Sequence, residues 1–222
     1  MKKPVIAIDG FSSTGKSSIS KIIAQKLDLI HIDTGALYRG ITVYALQNCM
    51  TADKQLDTEC LIAQLHKINL EFKNENQTLV LYLNEKNIDR EIRDPKISSY
   101  VSDVAKLPAV REFLLKTQRD LAAKGGVIMD GRDIGTIVLK DADYKFFLTA
   151  SIEARTERRY LELLSNGLEV NKNEVRENLI KRDKIDSERE VAPLKQADDA
   201  ILIDNSHLNK EETIDLILSY LK

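Results

Sequence analysis

The sequence predicts an α/β fold: a mostly parallel five-stranded sheet with helices on both faces, carrying a small antiparallel β insert. Three observations predict it. Five apolar runs of strand length are spread over 222 residues, with helical patterns between them. A glycine-rich turn joins the first run to the first helical pattern. One segment, 70–93, breaks the alternation with short β-prone runs separated by polar turns.

The first run, Val5–Ile8, leads into Gly10-Phe11-Ser12-Ser13-Thr14-Gly15-Lys16-Ser17, which has the spacing of a phosphate-binding loop. Ile19, Ile22, Ile23 and Leu27 then recur at helical spacing. Strand, glycine turn and helix N-terminus in that order make an anion site, because backbone N–H groups and the helix dipole both face the phosphate. Lys16 can reach the outer phosphates, and a following hydroxyl can bind Mg²⁺.

The second run, Leu29–Ile32, ends in Asp33. Asp33 or Thr34 can cap the next helix, and Arg39 then lies one turn in, placed for a second phosphate group. Segment 70–93 reads as a meander of Leu70–Lys73, Thr78–Leu83 and Ile88, with turns at 74–77 and 84–87. Its expected role is a lid or wall over an acceptor site. Val127–Met129 runs into Asp130, a Walker-B-type carboxylate that can help hold Mg²⁺. Arg132 and Asp133 follow, framed by Gly131 and Gly135.

After Lys145–Leu148 comes a helical pattern in which Arg155, Arg158 and Arg159 share a face. They suit a triphosphate, or they belong to a salt-bridged surface with Glu153 and Glu157. Ser165–Asn171 is a polar turn around Gly167, read as the tip of a flap. Arg182, Asp186 and Arg189 fall on one stripe if a single helix runs that far. Ala200–Ile203 is the fifth strand. Four strands run into Asp (Asp9, Asp33, Asp130, Asp204), at the carboxyl edge where such sheets collect ligands.

A net charge of −2 argues against a nucleic-acid partner or a polybasic membrane surface. No apolar run reaches membrane-spanning length, and Asp9 interrupts the apolar stretch behind Met1-Lys2-Lys3-Pro4, so a cytoplasmic protein is expected. Cys49 and Cys60 form no Cys-x-x-Cys pair and are expected as two reduced thiols. His31, His66 and His207 are scattered. His31 reads as a strand residue, and none of the three is assigned chemistry. No exposed apolar stripe stands out, so a monomer is expected.

Five stretches in order, IDGFSSTGKSS, IDTGALYRG, VSDVAKLPAVREFLLKTQR, DGRDIGT and KRDKIDSEREVAPL, make the chain resemble the bacterial cytidylate kinase family over nearly its full length. The resemblance implies a P-loop NTPase-type parallel five-stranded sheet that transfers the γ-phosphate of ATP to CMP or dCMP, with Mg²⁺. It implies one kinase domain over 1–222: a core of about 1–33, 127–150 and 195–222, a monophosphate-binding region of about 34–110 with the insert, and a lid of about 155–175. ATP would be held by Gly10–Ser18 and by the lid arginines Arg158 and Arg159. Thr34, Arg39, Ser102, Arg111, Arg132, Asp133, Arg182, Asp186 and Arg189 fall on acceptor positions. Of these, Ser102, Arg111 and Asp133 would surround cytosine, Arg182 and Asp186 the ribose, and Arg39, Arg132 and Arg189 the phosphate. Lys16, Arg132, Arg158 and Arg189 would act on the transferring group, and Asp130 with Ser17 or Ser18 on the metal. The alternative is another P-loop kinase acting on UMP, AMP or a non-nucleotide alcohol. A guanine-reading switch lacks its element here, since Asn171-Lys172-Asn173-Glu174 has no Asp.

The loop departs from the family's pattern. Phe11 stands where members usually have Pro, Ser13 where they often have Gly or Ala, and Ser17 where they often have Gly. The metal hydroxyl is therefore Ser17, or Ser18 at the usual family position.

Overall fold

Each of the five apolar runs forms a strand in the computed structural model of the chain, which describes residues 3–75 and 78–221. In chain order the elements are β1 (Val5–Gly10), α1 (Lys16–Leu27), β2 (Ile30–Asp33), α2 (Thr34–Asn48), α3 (Thr58–Gln64), β3 (Leu70–Glu75), β4 (Thr78–Leu83) and β5 (Lys86–Asn87). There follow α4 (Pro95–Ala105), α5 (Pro108–Ala122), β6 (Val127–Gly131), β7 (Tyr144–Thr149), α6 (Ile152–Ser165), α7 (Lys172–Glu188), β8 (Ile201–Asp204) and α8 (Lys210–Ser219). The chain divides into two compact units, Met1–Ile32 with Leu121–Lys222, and Asp33–Asp120.

The first unit is built on a five-stranded sheet in the order β2-β6-β1-β7-β8. β1 is central and parallel to both neighbours, with Ile8 opposite Asp130 and Phe146. Its strands are apolar without alternation because both faces are covered. Strand periodicity then sorts the side chains. Ile6, Ile8, Ile128, Phe146 and Leu148 pack with Ile19 and Ile23 of α1 and Ile214 and Ile217 of α8. Asp130, two residues after Ile128, shares that face, whereas Asp9, one after Ile8, points to the other. α6 and α7 form a hairpin over a small core of Leu163, Val175 and Leu179. The turn between them contains Gly167 at φ 76°, in the segment read as a polar tip.

The second unit packs α2 and α4 with the meander around Leu37, Ile41, Leu61, Leu81, Ile88, Val104 and Leu114. β3, β4 and β5 are antiparallel, as the sequence predicts. The second turn is tighter than expected: Asn84 and Glu85 alone make it, both at positive φ (46° and 69°), and Lys86–Asn87 are already strand. In the first predicted turn, Asn74 and Glu75 are strand, and Asn76 and Gln77 lie outside the described residues.

The expectation of two reduced thiols is corrected. Cys49, at the end of α2, and Cys60, in α3, are joined as a disulfide with Cα atoms 5.6 Å apart. Sequence spacing hid this, because the intervening loop folds back on itself. Met50 and Leu56 form a β-bridge, and the Asp57 N–H donates to the Cys49 carbonyl at 2.9 Å. Among the described residues no helix is long and apolar enough to cross a membrane.

Candidate active site

The phosphate loop leaves β1 through Gly10, where a Cβ would stand 2.0 Å from the Leu148 carbonyl oxygen, a backbone atom that cannot yield. Ser13 holds a left-handed conformation (φ 61°), and so does Gly15 (φ 88°), which opens α1. Buried Lys16 donates from Nζ to the Phe11 carbonyl, which also accepts from Thr14 Oγ1 at 3.0 Å. The Phe11 ring meets Phe147 edge-on (5.9 Å between centroids) and lies 5.1 Å from the Arg155 guanidinium carbon. Arg155 also reaches the Ser12 carbonyl at 3.4 Å. From beyond β8, Asn205 donates through Nδ2 to the Thr14 carbonyl at 2.9 Å.

The two candidate metal hydroxyls differ in what they touch. Ser17 Oγ donates to Asp130 Oδ2 at 2.6 Å, while Ser18 Oγ donates to the Gly15 carbonyl of its own helix turn at 3.0 Å. Asp130 lies on the α1 face of the sheet, which is why the first turn of α1 can reach it. His31, on the edge strand β2 beside β6, sets its Nε2 2.7 Å from the other carboxylate oxygen, Oδ1.

Asp9 does something different on the opposite face. Its two oxygens accept the backbone N–H groups of Ile134 and Gly135, each at 2.7 Å, and so hold a single π-helical turn, Ile134–Val138, after β6. Burial pushes its carboxyl up to about 7, against those two hydrogen bonds and the Lys16 charge.

The same unit gathers most of the predicted arginines and their acids. Arg132 Nε donates to Asp186 at 2.9 Å, and Arg189 Nη2 donates to Asp133 at 3.3 Å. Asp133, Asp186 and Arg189 are buried. Burial alone would raise the Asp186 carboxyl, but the charges of Arg132, Arg182 and Arg189 outweigh it and hold it below the usual carboxylate range. The stripe expected on one helix is shorter than the sequence suggested. α7 carries Arg182 and Asp186 but ends at Glu188, and Arg189 is already extended (ψ 141°), with Nε donating to the Ala192 carbonyl.

Each of the three α6 arginines has its own partners. Arg155 is buried and donates to Asp183 on α7 at 2.6 Å and to the Ala150 carbonyl at 3.0 Å. Arg158 donates to the Asn205 side chain and to the Asn205 and Leu208 carbonyls, and Arg159 pairs with Glu162 at 2.9 Å.

The second unit carries the remaining positions. Asp33 caps α2 by accepting the Ala36 N–H and also accepts from Arg39 at 2.6 Å. Thr34 is buried at the start of α2, and Ser102 is buried in α4. Buried Arg111, in α5, donates to the Ala105 carbonyl at 3.1 Å, with its guanidinium carbon 5.5 Å from the Tyr38 ring.

A family model described as cytidylate kinase matches residues 6–222. The chain belongs to the cytidylate kinase family. A cytidylate kinase of Phocaeicola vulgatus is 47% identical over 214 residues, covering 96% of this chain and 93% of that protein. One from Flavobacterium psychrophilum is 48% identical over 220 residues, covering 98% and 97%. Among solved structures, an uncharacterized protein from Eubacterium ventriosum aligns with a TM-score of 0.51 at 14% identity, covering 99% of this chain and 98% of that one, a likeness of fold alone.

Sequence reasoning missed Asn205 and His31 as supports of the family's site, and named Arg155 only for a triphosphate or a salt-bridged surface. Asn205 carries no motif signal. For His31 the signal was its place in a strand that ends at the ligand edge of the sheet.

Proposed function

We infer that the chain transfers the γ-phosphate of ATP to CMP or dCMP, giving ADP and CDP or dCDP. The observation that carries this is kinship at 47–48% identity with cytidylate kinases over almost their full length. Lys16 and the loop amides serve the triphosphate. Ser17 and Asp130 hold Mg²⁺. Two hard oxygen donors in direct contact, at the mouth of an anion-binding loop, fit that ion, and the 2.6 Å bond between them favours Ser17 over Ser18. Mg²⁺, when bound, offsets negative charge on the phosphate oxygens.

For the acceptor, we propose that Asp133 accepts from cytosine N4 and that Arg111 donates to N3 or O2, with Ser102 also serving the base. Uracil reverses the pattern at N3 and O4 and leaves partners unpaired, at ~1–3 kcal/mol each. Arg39, Arg132 and Arg189 serve the acceptor phosphate, and Thr34 belongs to the acceptor site. Arg182 and Asp186 serve the ribose, with the 3′-OH contact admitting dCMP. Arg158 and Arg159 serve ATP from the α6–α7 hairpin.

The test is a panel of monophosphates with ATP and Mg²⁺. CMP and dCMP should be phosphorylated faster than UMP or AMP, and equal rates on all four would sink the base-reading assignment.

A further inference from the structure

We propose that His31 is a positioning residue for the reaction. It holds the Asp130 carboxylate in the orientation in which that group, with Ser17, receives the metal of the metal–ATP complex. This rests on the reading of Asp130 as a metal carboxylate.

The geometry supplies the argument. Asp130 is buried at the end of β6, with its side chain only 3% exposed. A carboxylate only accepts, so the His31 ring nitrogen at 2.7 Å must be an Nε2–H donor. His31 engages Oδ1 while Ser17 engages Oδ2 at 2.6 Å. Donors on both oxygens fix the plane of the carboxylate as well as its position. The strand order makes the contact possible, because β2 lies beside β6 and brings a β2 side chain across to Asp130. Outer partners of this kind set ligand orientation, and their loss typically costs 10–100-fold in metal affinity or activity. The His31 side chain is 17% exposed and sits on the edge strand β2, outside the apolar clusters of the core.

A purely structural role predicts something else. If His31 only satisfied a buried carboxylate, its loss would lower stability and weaken ATP binding equally with and without metal. The discriminating quantity is therefore the ratio of ATP affinity in excess Mg²⁺ to ATP affinity in EDTA, measured by calorimetry on the intact chain. In His31→Leu this ratio should fall on the order of tenfold, with the EDTA value unchanged. His31→Gln, which keeps an N–H donor near the position of Nε2, should restore most of the ratio. Asp130→Asn is the reference and should lower the ratio at least as far as His31→Leu.

A normal ratio in His31→Leu beside a reduced one in Asp130→Asn overturns the role of His31 and leaves the metal reading standing. A Gln variant as impaired as the Leu variant also overturns it, because the donor would then not be what matters. An unchanged ratio in Asp130→Asn removes the metal reading itself, and the role of His31 with it.

Discussion

Replacing Asp9 by Asn should flatten the pH dependence of this protein's stability. Asp9 is a carboxyl that burial pushes from its ordinary 3.8 to about 7. The unfolded chain ionises it near its ordinary value, while the fold keeps it protonated until near neutrality. Between those limits the unfolded state releases a proton that the native state retains. Stability therefore falls as pH rises, by ~1.4 kcal/mol per pH unit. From pH 5 to pH 8 the loss from this one group is ~3 kcal/mol, a sizeable share of the 5–15 kcal/mol typical of a folded domain. Asn cannot ionise, so the variant lacks this slope. It carries a different cost at every pH. One of the two backbone N–H donors, Ile134 or Gly135, must face the amide NH₂ instead of an oxygen, at ~1–3 kcal/mol. Asp9→Asn should therefore be weaker than the wild type at pH 4, close to the ordinary value where the loss begins, and stronger than it at pH 8. Urea unfolding at several pH values gives both curves, and their difference cancels every other titrating group. Two curves separated by a constant offset would refute the reasoning.

With Ser17 as the proposed metal hydroxyl, Ser17→Ala should lower kcat at least about tenfold, whereas Ser18→Ala should leave turnover near normal. The reverse pattern in steady-state kinetics would mean the wrong hydroxyl was assigned. Ser13→Gly should raise the melting temperature slightly, since relieving a left-handed serine is worth ~1 kcal/mol before the entropy cost of glycine, and a lower melting temperature would contradict the strain argument. Asn205→Ala should cost ~1–3 kcal/mol in urea unfolding and raise the KM for ATP, as the Thr14 carbonyl and Arg158 lose a shared partner; an unchanged KM would separate Asn205 from the loop's shape.

The strands were legible because a strand covered on both faces is a continuous apolar run, and all five appear within two residues of their expected ends. The order β2-β6-β1-β7-β8 was not legible, and the roles of the side chains depend on that order. The four aspartates at strand ends show this. In sequence they look alike. In the structure Asp9 clamps a backbone turn, Asp33 caps a helix and pairs with Arg39, and Asp204 accepts from Ser206. Only Asp130 meets the phosphate-loop hydroxyl. Parity along the strand and the identity of the neighbouring strand separate them, and neither is visible in a local pattern. The partners of the α6 arginines were illegible for a similar reason. Shared helical spacing places Arg155, Arg158 and Arg159 at neighbouring positions, but it does not give their partners: Asp183 on α7, Asn205 after β8, and Glu162 on α6 itself.

Phe11 is the clearest departure from the family's loop, and it is also where the loop's supports converge. A proline at that position would restrict the backbone by fixing φ. Phenylalanine leaves φ free, so the restriction has to come from the side chain. Its ring contacts Phe147 and the Arg155 guanidinium, and Arg155 is itself anchored to Asp183 and the Ala150 carbonyl. Asn205 holds Thr14 three residues further on, and Leu148 leaves room only for glycine at position 10. The conformation that gathers the phosphate-binding amides thus depends on residues more than 130 positions away in sequence. That is why an eight-residue motif can announce phosphate binding while the side chains that hold its shape remain unreadable without the fold.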